Sequence, residues 1–282
     1  REEALRQLTY FLRDSNGSGE GWRRPIEAAA TLYEQTLGDA LTKAQMAVAE
    51  AARLRVLPEG PEQQARRLKL AEILESEGDT EASFALYAHA LRRAKNDSTI
   101  EAALERLAEV LENWTGLAGL YTEIVDTMTH GDSQHRLLGK LARIYQEQVV
   151  DATQSAHWYE RLLVARPSDL EALTALAGHY REQQAATDEA RILTCWRASD
   201  ASEGHRGTLT RRLAVLTMDE LNDAAQALSL LEELLPEVAH DEDYSVRLVQ
   251  LYEHSQRWDR LMDLCDAALE SEDLAPEIAV TW

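Results

Sequence analysis

Residues 70–90 read LAEILESEGDTEASFALYAHA, and this stretch decides the fold. Leu70, Ala71 and Leu74 recur with helical spacing, and a second apolar face follows in Ser83, Tyr87 and Ala90. Offsets of three, four and seven residues bring side chains to one side of a helix. Between the two runs stand Glu77-Gly78-Asp79, residues that favour a turn. The stretch therefore predicts two short helices folded back on each other. A lone hairpin of this size cannot bury both apolar faces, so it needs neighbours of the same kind.

The neighbours are present. The Leu-Ala signature with an apolar or aromatic residue three places on recurs as Leu107-Ala108…Leu111, Leu141-Ala142…Tyr145 and Leu176-Ala177…Tyr180. It recurs again as Leu213-Ala214…Thr217 and Leu248-Val249…Tyr252. The steps between the small residues are 37, 34, 35, 37 and 35, and a less regular unit, Ala30…Tyr33, precedes them by 41. Second helices follow. Ser155–Ala165 carries Ala156, Tyr159, Leu162 and Leu163 on one face before Pro167 stops it. Ala224–Leu235 carries Leu228, Leu231 and Leu235 before Pro236, and Trp258–Leu269 carries Leu261, Leu264, Cys265 and Ala268. The small residue lets the first helix of a hairpin (A) approach the second (B), and the larger side chain one turn later fills the space between hairpins.

Composition agrees. The 282 residues are 45% apolar and 28% charged, which is globular rather than disordered. Ala, Leu, Glu and Arg dominate, all good helix formers, and no stretch alternates as a strand would. The formal charge of −21 repels nucleic acid and anionic lipid. No apolar run approaches the roughly 18–20 residues that span a bilayer. Cys195 and Cys265 lie two hairpins apart, too distant to pair, and are expected as buried, reduced thiols, which leans towards the cytoplasm. His130 and His135 flank Gly131-Asp132 at a spacing that matches no metal-ligand set, and no nucleotide-binding or hydrolase motif occurs. Neither a cofactor, a metal nor catalysis is expected.

The repeating pattern resembles the tetratricopeptide repeat family, whose unit is a 34-residue pair of antiparallel helices. Leu70, Ala71, Leu74, Ser83, Tyr87 and Ala90 match its pattern, as do Leu141, Ala142, Tyr145, Ala156 and Pro167 with two extra turn residues. The resemblance covers roughly residues 62–282; it departs at Thr217, Val249 and in the variable period. It implies an all-α, right-handed solenoid of stacked antiparallel hairpins. Three segments are expected: an N-terminal helix and flexible loop over 1–21, an irregular first hairpin over 22–60, and a repeat array over 61–282 of about six repeats. The loop is centred on Asp14–Gly21, and a second break falls at Leu57-Pro58-Glu59-Gly60-Pro61. Glu277–Trp282 reads as the first half of a new A helix, which predicts a slice of a longer array.

The residue two before each small residue is Lys69, Arg106, Lys140, Ala175, Arg212 and Arg247, a basic column in an acidic chain. The resemblance implies that this column lines a concave groove where basic residues hold the carboxylates of a peptide. Arg106, Arg212 and Arg247 are able to do so bidentately. The alternative is ordinary helix-surface charge, since Glu72 and Glu109 stand three residues after Lys69 and Arg106. The adjoining column, Glu72, Glu109, Arg143, Gly178, Val215 and Gln250, is acidic at its N-terminal end. Trp114 and Trp258, in similar contexts, are expected to plug hairpin turns, whereas Trp22 beside the loop is harder to place in a core. The expected function is a protein-interaction scaffold taking a peptide or helix with an acidic segment, not nucleic acid and not a membrane. The alternative is a regulatory or sensor segment of a larger protein whose catalytic domain lies elsewhere. A pentatricopeptide-type RNA binder shares the period, but the charge opposes it.

Overall fold

The computed structural model describes residues 2–14, 20–129, 131–234 and 242–263, and among them there is no strand. The helices are α1 (Glu2–Asp14), α2 (Glu20–Leu37), α3 (Lys43–Val56), α4 (Pro61–Glu77), α5 (Thr80–Arg93), α6 (Ser98–Leu111) and α7 (Trp114–Asp126). They continue as α8 (Asp132–Arg143), α9 (Ala152–Ala165), α10 (Leu170–Glu182), α11 (Ala186–Ala198), α12 (Arg206–Asp219), α13 (Ala224–Glu233) and α14 (Glu242–His254). The chain forms two compact units, residues 1–137 with 147–150, and residues 138–146 with 151–282. In the first, each helix from α2 to α7 packs on the next, and α1 lies against α2 and α3. In the second, α9 to α13 follow the same rule and α14 packs on α13. Short turns between packed neighbours make them antiparallel, so each unit is a stack of helix hairpins, the solenoid arrangement that the sequence pattern demands.

The Leu-Ala signature is the inner face of these stacks. Leu70, Leu107, Leu141, Leu176, Leu213 and Leu248 are all buried, and so are Ala71, Ala108, Ala142, Ala177 and Ala214. Two hairpins carry an additional lock across the close contact. Ser83 Oγ on α5 donates to the Ala71 carbonyl of α4 at 2.8 Å, and Ser155 Oγ on α9 donates to the Ala142 carbonyl of α8 at 3.1 Å. Ser155, rather than the adjacent Ala156, is thus the counterpart of Ser83. Thr217, which departs from the aromatic slot, is fully buried and satisfies its hydroxyl on its own helix, at the carbonyls of Leu213 (2.8 Å) and Ala214 (2.9 Å).

The turns inside the hairpins share one closure. A residue with positive φ ends the A helix, and the next backbone N–H returns to a carbonyl in its last turns. The pairs are Asp79 to Leu74, Tyr145 from Asp151, Tyr180 from Ala185, Thr217 from Asp223 and Tyr252 from Arg257. In each of these the acceptor is the residue three after the signature's small residue; in the remaining turn, behind Glu112, Asn113 returns to Ala108, the small residue itself. Asp79, Asn113, Asp151 and Asp223 then cap the following helix through their side chains, so one residue both ends helix A and starts helix B. The extra residues of the Leu141–Pro167 repeat are taken up by a π-helical segment, Ile144–Gln148, ahead of Val150 at φ 57.

Three expectations need correction. Cys195 is exposed, because α11 buries the stripe Glu189, Ile192 and Leu193 and Cys195 falls off it; Cys265 lies outside the described residues. Trp258 is 56% exposed, and Trp114, the first residue of α7 and one turn short of its packed stretch from Leu117, is only half-buried. Among the described residues, Trp158 is the tryptophan that is buried. Leu235, Leu264, Ala268, His130 and Glu277–Trp282 also lie outside the described residues.

Candidate interaction surface

Lys69, Arg106, Arg212 and Arg247 of the basic column each reach across to another helix. In the first unit, Lys69 Nζ on α4 lies 2.6 Å from Glu50 Oε1 on α3. Arg106 on α6 grips Glu75 on α4 with two parallel bonds, Nε to Oε1 at 2.8 Å and Nη2 to Oε2 at 2.9 Å. In the second unit, Arg212 on α12 grips Glu189 on α11 in the same way, both bonds at 2.8 Å. Arg247 on α14 donates to Asp219 Oδ1 on α12 at 2.7 Å. Lys140 sits half-buried on α8. The carboxylates three residues downstream, Glu72 and Glu109, take neither Lys69 nor Arg106. Exposure sorts the column: the Lys69 and Arg106 side chains are 52% and 56% accessible, those of Arg212 and Arg247 both 30%. The Lys69 and Arg106 side chains are therefore more open to solvent than those of Arg212 and Arg247.

Two of these pairs end on carboxylates that sequence reasoning missed. Glu50 is 1% and Glu189 2% exposed, and Glu101 on α6 is fully buried. Burial by itself would raise the Glu50 carboxyl; hydrogen bonds from Lys69 and Arg66, with the charge of Arg53, outweigh it and hold the group below its ordinary range. Arg53 in turn donates to Glu34 at 2.6 and 2.9 Å, so α2, α3 and α4 share one charged network. Glu189 follows the same logic, with Arg212 and Arg181 overcoming its burial. Arg136 on α8 donates to Glu101 at 2.8 and 3.3 Å. The available signal was an acid in the apolar stripe: Glu101 precedes Leu104 by three residues and Glu189 precedes Ile192 by three.

The tyrosines of the stacks follow a second rule. Tyr121 on α7 donates to Glu105 on α6 at 3.0 Å, and Tyr159 on α9 to Gln146 at 2.9 Å and Glu171 at 3.1 Å. Tyr252 on α14 donates to Glu232 at 3.1 Å, and Tyr33 on α2 accepts from Thr9 at 3.4 Å. Half-buried Tyr180 donates to Glu160 at 2.8 Å, and burial and that carboxylate push its phenol up to about 12. Tyr87 on α5 breaks the rule. It is 6% exposed, yet among the described residues its hydroxyl meets no hydrogen-bond partner. By the turn closures, Asp79 to Leu74 and Asn113 to Ala108, Ala71 stands where Glu105 stands in the next hairpin. The hydroxyl instead faces a cavity of about 520 Å³ between α4 and α6, lined by Leu68, Glu72, Glu75, Tyr87, Thr99 and Arg106 among others. A second cavity, about 490 Å³ and mainly apolar, is lined by Leu12 of α1, Ala47, Val48 and Ala51 of α3, and Leu70 and Leu74 of α4.

Among the described residues no group of three His, Cys, Asp or Glu side chains is placed to hold a metal, and no helix is long and apolar enough to cross a membrane. What the surface offers is paired charge, a polar cleft and an apolar cleft. No family model matches the sequence, and no curated protein matches it. Among solved structures, a tetratricopeptide repeat protein from Parabacteroides merdae ATCC 43184 aligns over 91% of this chain and 97% of its own, at 15% identity and a TM-score of 0.35.

Proposed function

We propose that the chain is a protein-interaction scaffold rather than an enzyme. The exposed faces of its A helices, which carry Lys69, Arg106, Lys140, Arg212 and Arg247 with their acidic partners, bind a peptide or helix of another protein. The observation that supports this most is the charged cleft of about 520 Å³ between consecutive A helices of the first unit, open beside a half-exposed Arg106–Glu75 pair. Clefts of this size with a few convergent polar groups suit a side chain presented by a partner. An acidic partner would have to exchange with carboxylates already on Lys69, Arg106, Arg212 and Arg247, so recognition draws on both signs of charge.

A photo-crosslinking amino acid tests the reading. Placed at Glu109 or Gln250, exposed positions of the adjoining A-helix column, it should capture a discrete partner in extract from the native cell. Placed at Val164, 84% exposed on B helix α9, it should not. Equal yields from all three positions, or none from the A helices, would refute the assignment.

A further inference from the structure

The cleft between α4 and α6 has a sign and an unused hydrogen bond. Arg106 is committed to Glu75 through two bonds, which cancels one charge each way. Glu72, exposed on α4 and lining the same cavity, forms no ion pair among the described residues, so the cleft is left with one uncompensated negative charge. Tyr87, a residue 6% exposed, adds to the wall a hydroxyl that no other described side chain engages. Its equivalents Tyr121 and Tyr159 are engaged by Glu105, Gln146 and Glu171, whereas the Tyr87 hydroxyl is left to a partner entering the cavity. The missing neighbour is traceable to Ala71, which has no polar side chain to offer the phenol. Burial, with Glu75 and Glu72 nearby, raises the Tyr87 phenol above its ordinary value, so it stays neutral and keeps a lone pair to offer. A group that fits must carry positive charge, donate several hydrogen bonds and bring an aliphatic stem to Leu68 and Ala103.

We propose that this cavity receives the lysine or arginine side chain of a bound peptide, with Tyr87 Oη and the carboxylates of Glu72 and Glu75 as its acceptors. The inference rests on the scaffold reading and specifies the partner chemistry of the first unit. An anionic group would meet Glu72 and Glu75 at close range and be repelled; a neutral one would leave the excess charge unanswered.

The test uses the whole chain carrying ¹³C-tyrosine, with the Tyr87 ring signal assigned from its loss in Tyr87→Phe. Nα-acetyl-lysine methylamide should shift the Tyr87 signal saturably, and added salt should weaken binding. The norleucine methylamide, matched in stem but uncharged, should leave it unmoved. Glu72→Gln should weaken the lysine probe about tenfold, the worth of one charge-assisted hydrogen bond. Equal response to norleucine, an affinity unchanged in Glu72→Gln, or no shift of Tyr87 at saturating probe would each overturn the proposal. Tighter binding of free cadaverine than of the lysine amide would overturn the peptide source. A crosslinked partner at Glu109 without lysine binding at Tyr87 would sink this inference and leave the scaffold standing. Lysine binding without any crosslinked partner would do the reverse.

Discussion

Tyr87 and Tyr121 occupy corresponding places in successive B helices, yet one hydroxyl faces a cavity and the other a carboxylate. That difference should be measurable in the unliganded chain. Tyr121→Phe removes the 3.0 Å bond to Glu105 and should lower stability by about 1 kcal/mol in urea unfolding. Tyr87→Phe removes no intramolecular bond and should leave the midpoint where it is. Comparable losses at the two positions would show that Tyr87 has a partner in solution. At this scale the sequence spoke only in part. Both tyrosines belong to an apolar stripe that periodicity reveals, but which of them is satisfied depends on a residue in another helix, Glu105 in one hairpin and Ala71 in the other.

Helices are tied to one another by the carboxylates they bury, and these ties have a pH signature. Glu189 is held below its ordinary range in the folded chain and returns to about 4.5 on unfolding. A group depressed by folding contributes stability above its unfolded value and loses it as pH falls through the folded one. Wild type should therefore exceed Glu189→Gln by about 1–2 kcal/mol at neutral pH, a range kept modest because Arg181 and Arg212 are partly exposed. Urea unfolding of both proteins from pH 7 to pH 3 should show the gap closing below about 4.5. Glu171→Gln, which alters a half-exposed carboxylate, should show little gap at any pH. A constant gap at Glu189 would mean that its charge is not what the arginines hold. The hairpins themselves were legible, because Leu-Ala spacing and turn residues are local: the leading leucine of each of the six signatures is buried. The ties were not. Lys69 was given Glu72 as its nearest acid, but the structure joins it to Glu50, 19 residues away, and no local pattern encodes that choice. The basic column was likewise found by stacking positions, while the acids that occupy it lie up to 31 residues distant.

A chain built from hairpins that touch mainly their sequence neighbours distributes stability along its length. A lesion in one hairpin should then loosen its neighbours and spare the rest, unlike damage to a single shared core. Ala177 is the position to test this. It is 4% exposed at the close contact of α10, and the column it belongs to holds Ala at five of six places. Ala177→Leu forces extra methylenes into that contact and should cost about 1–3 kcal/mol. Amide hydrogen exchange should report where the cost falls, since protection tracks the free energy of local opening. Faster exchange is expected in α9 to α12, with α2 to α5 unchanged. Uniform loss of protection from α2 to α13 would mean that the hairpins unfold as one cooperative body, and a neutral Ala177→Leu would undo the repeat register on which the A-helix column depends.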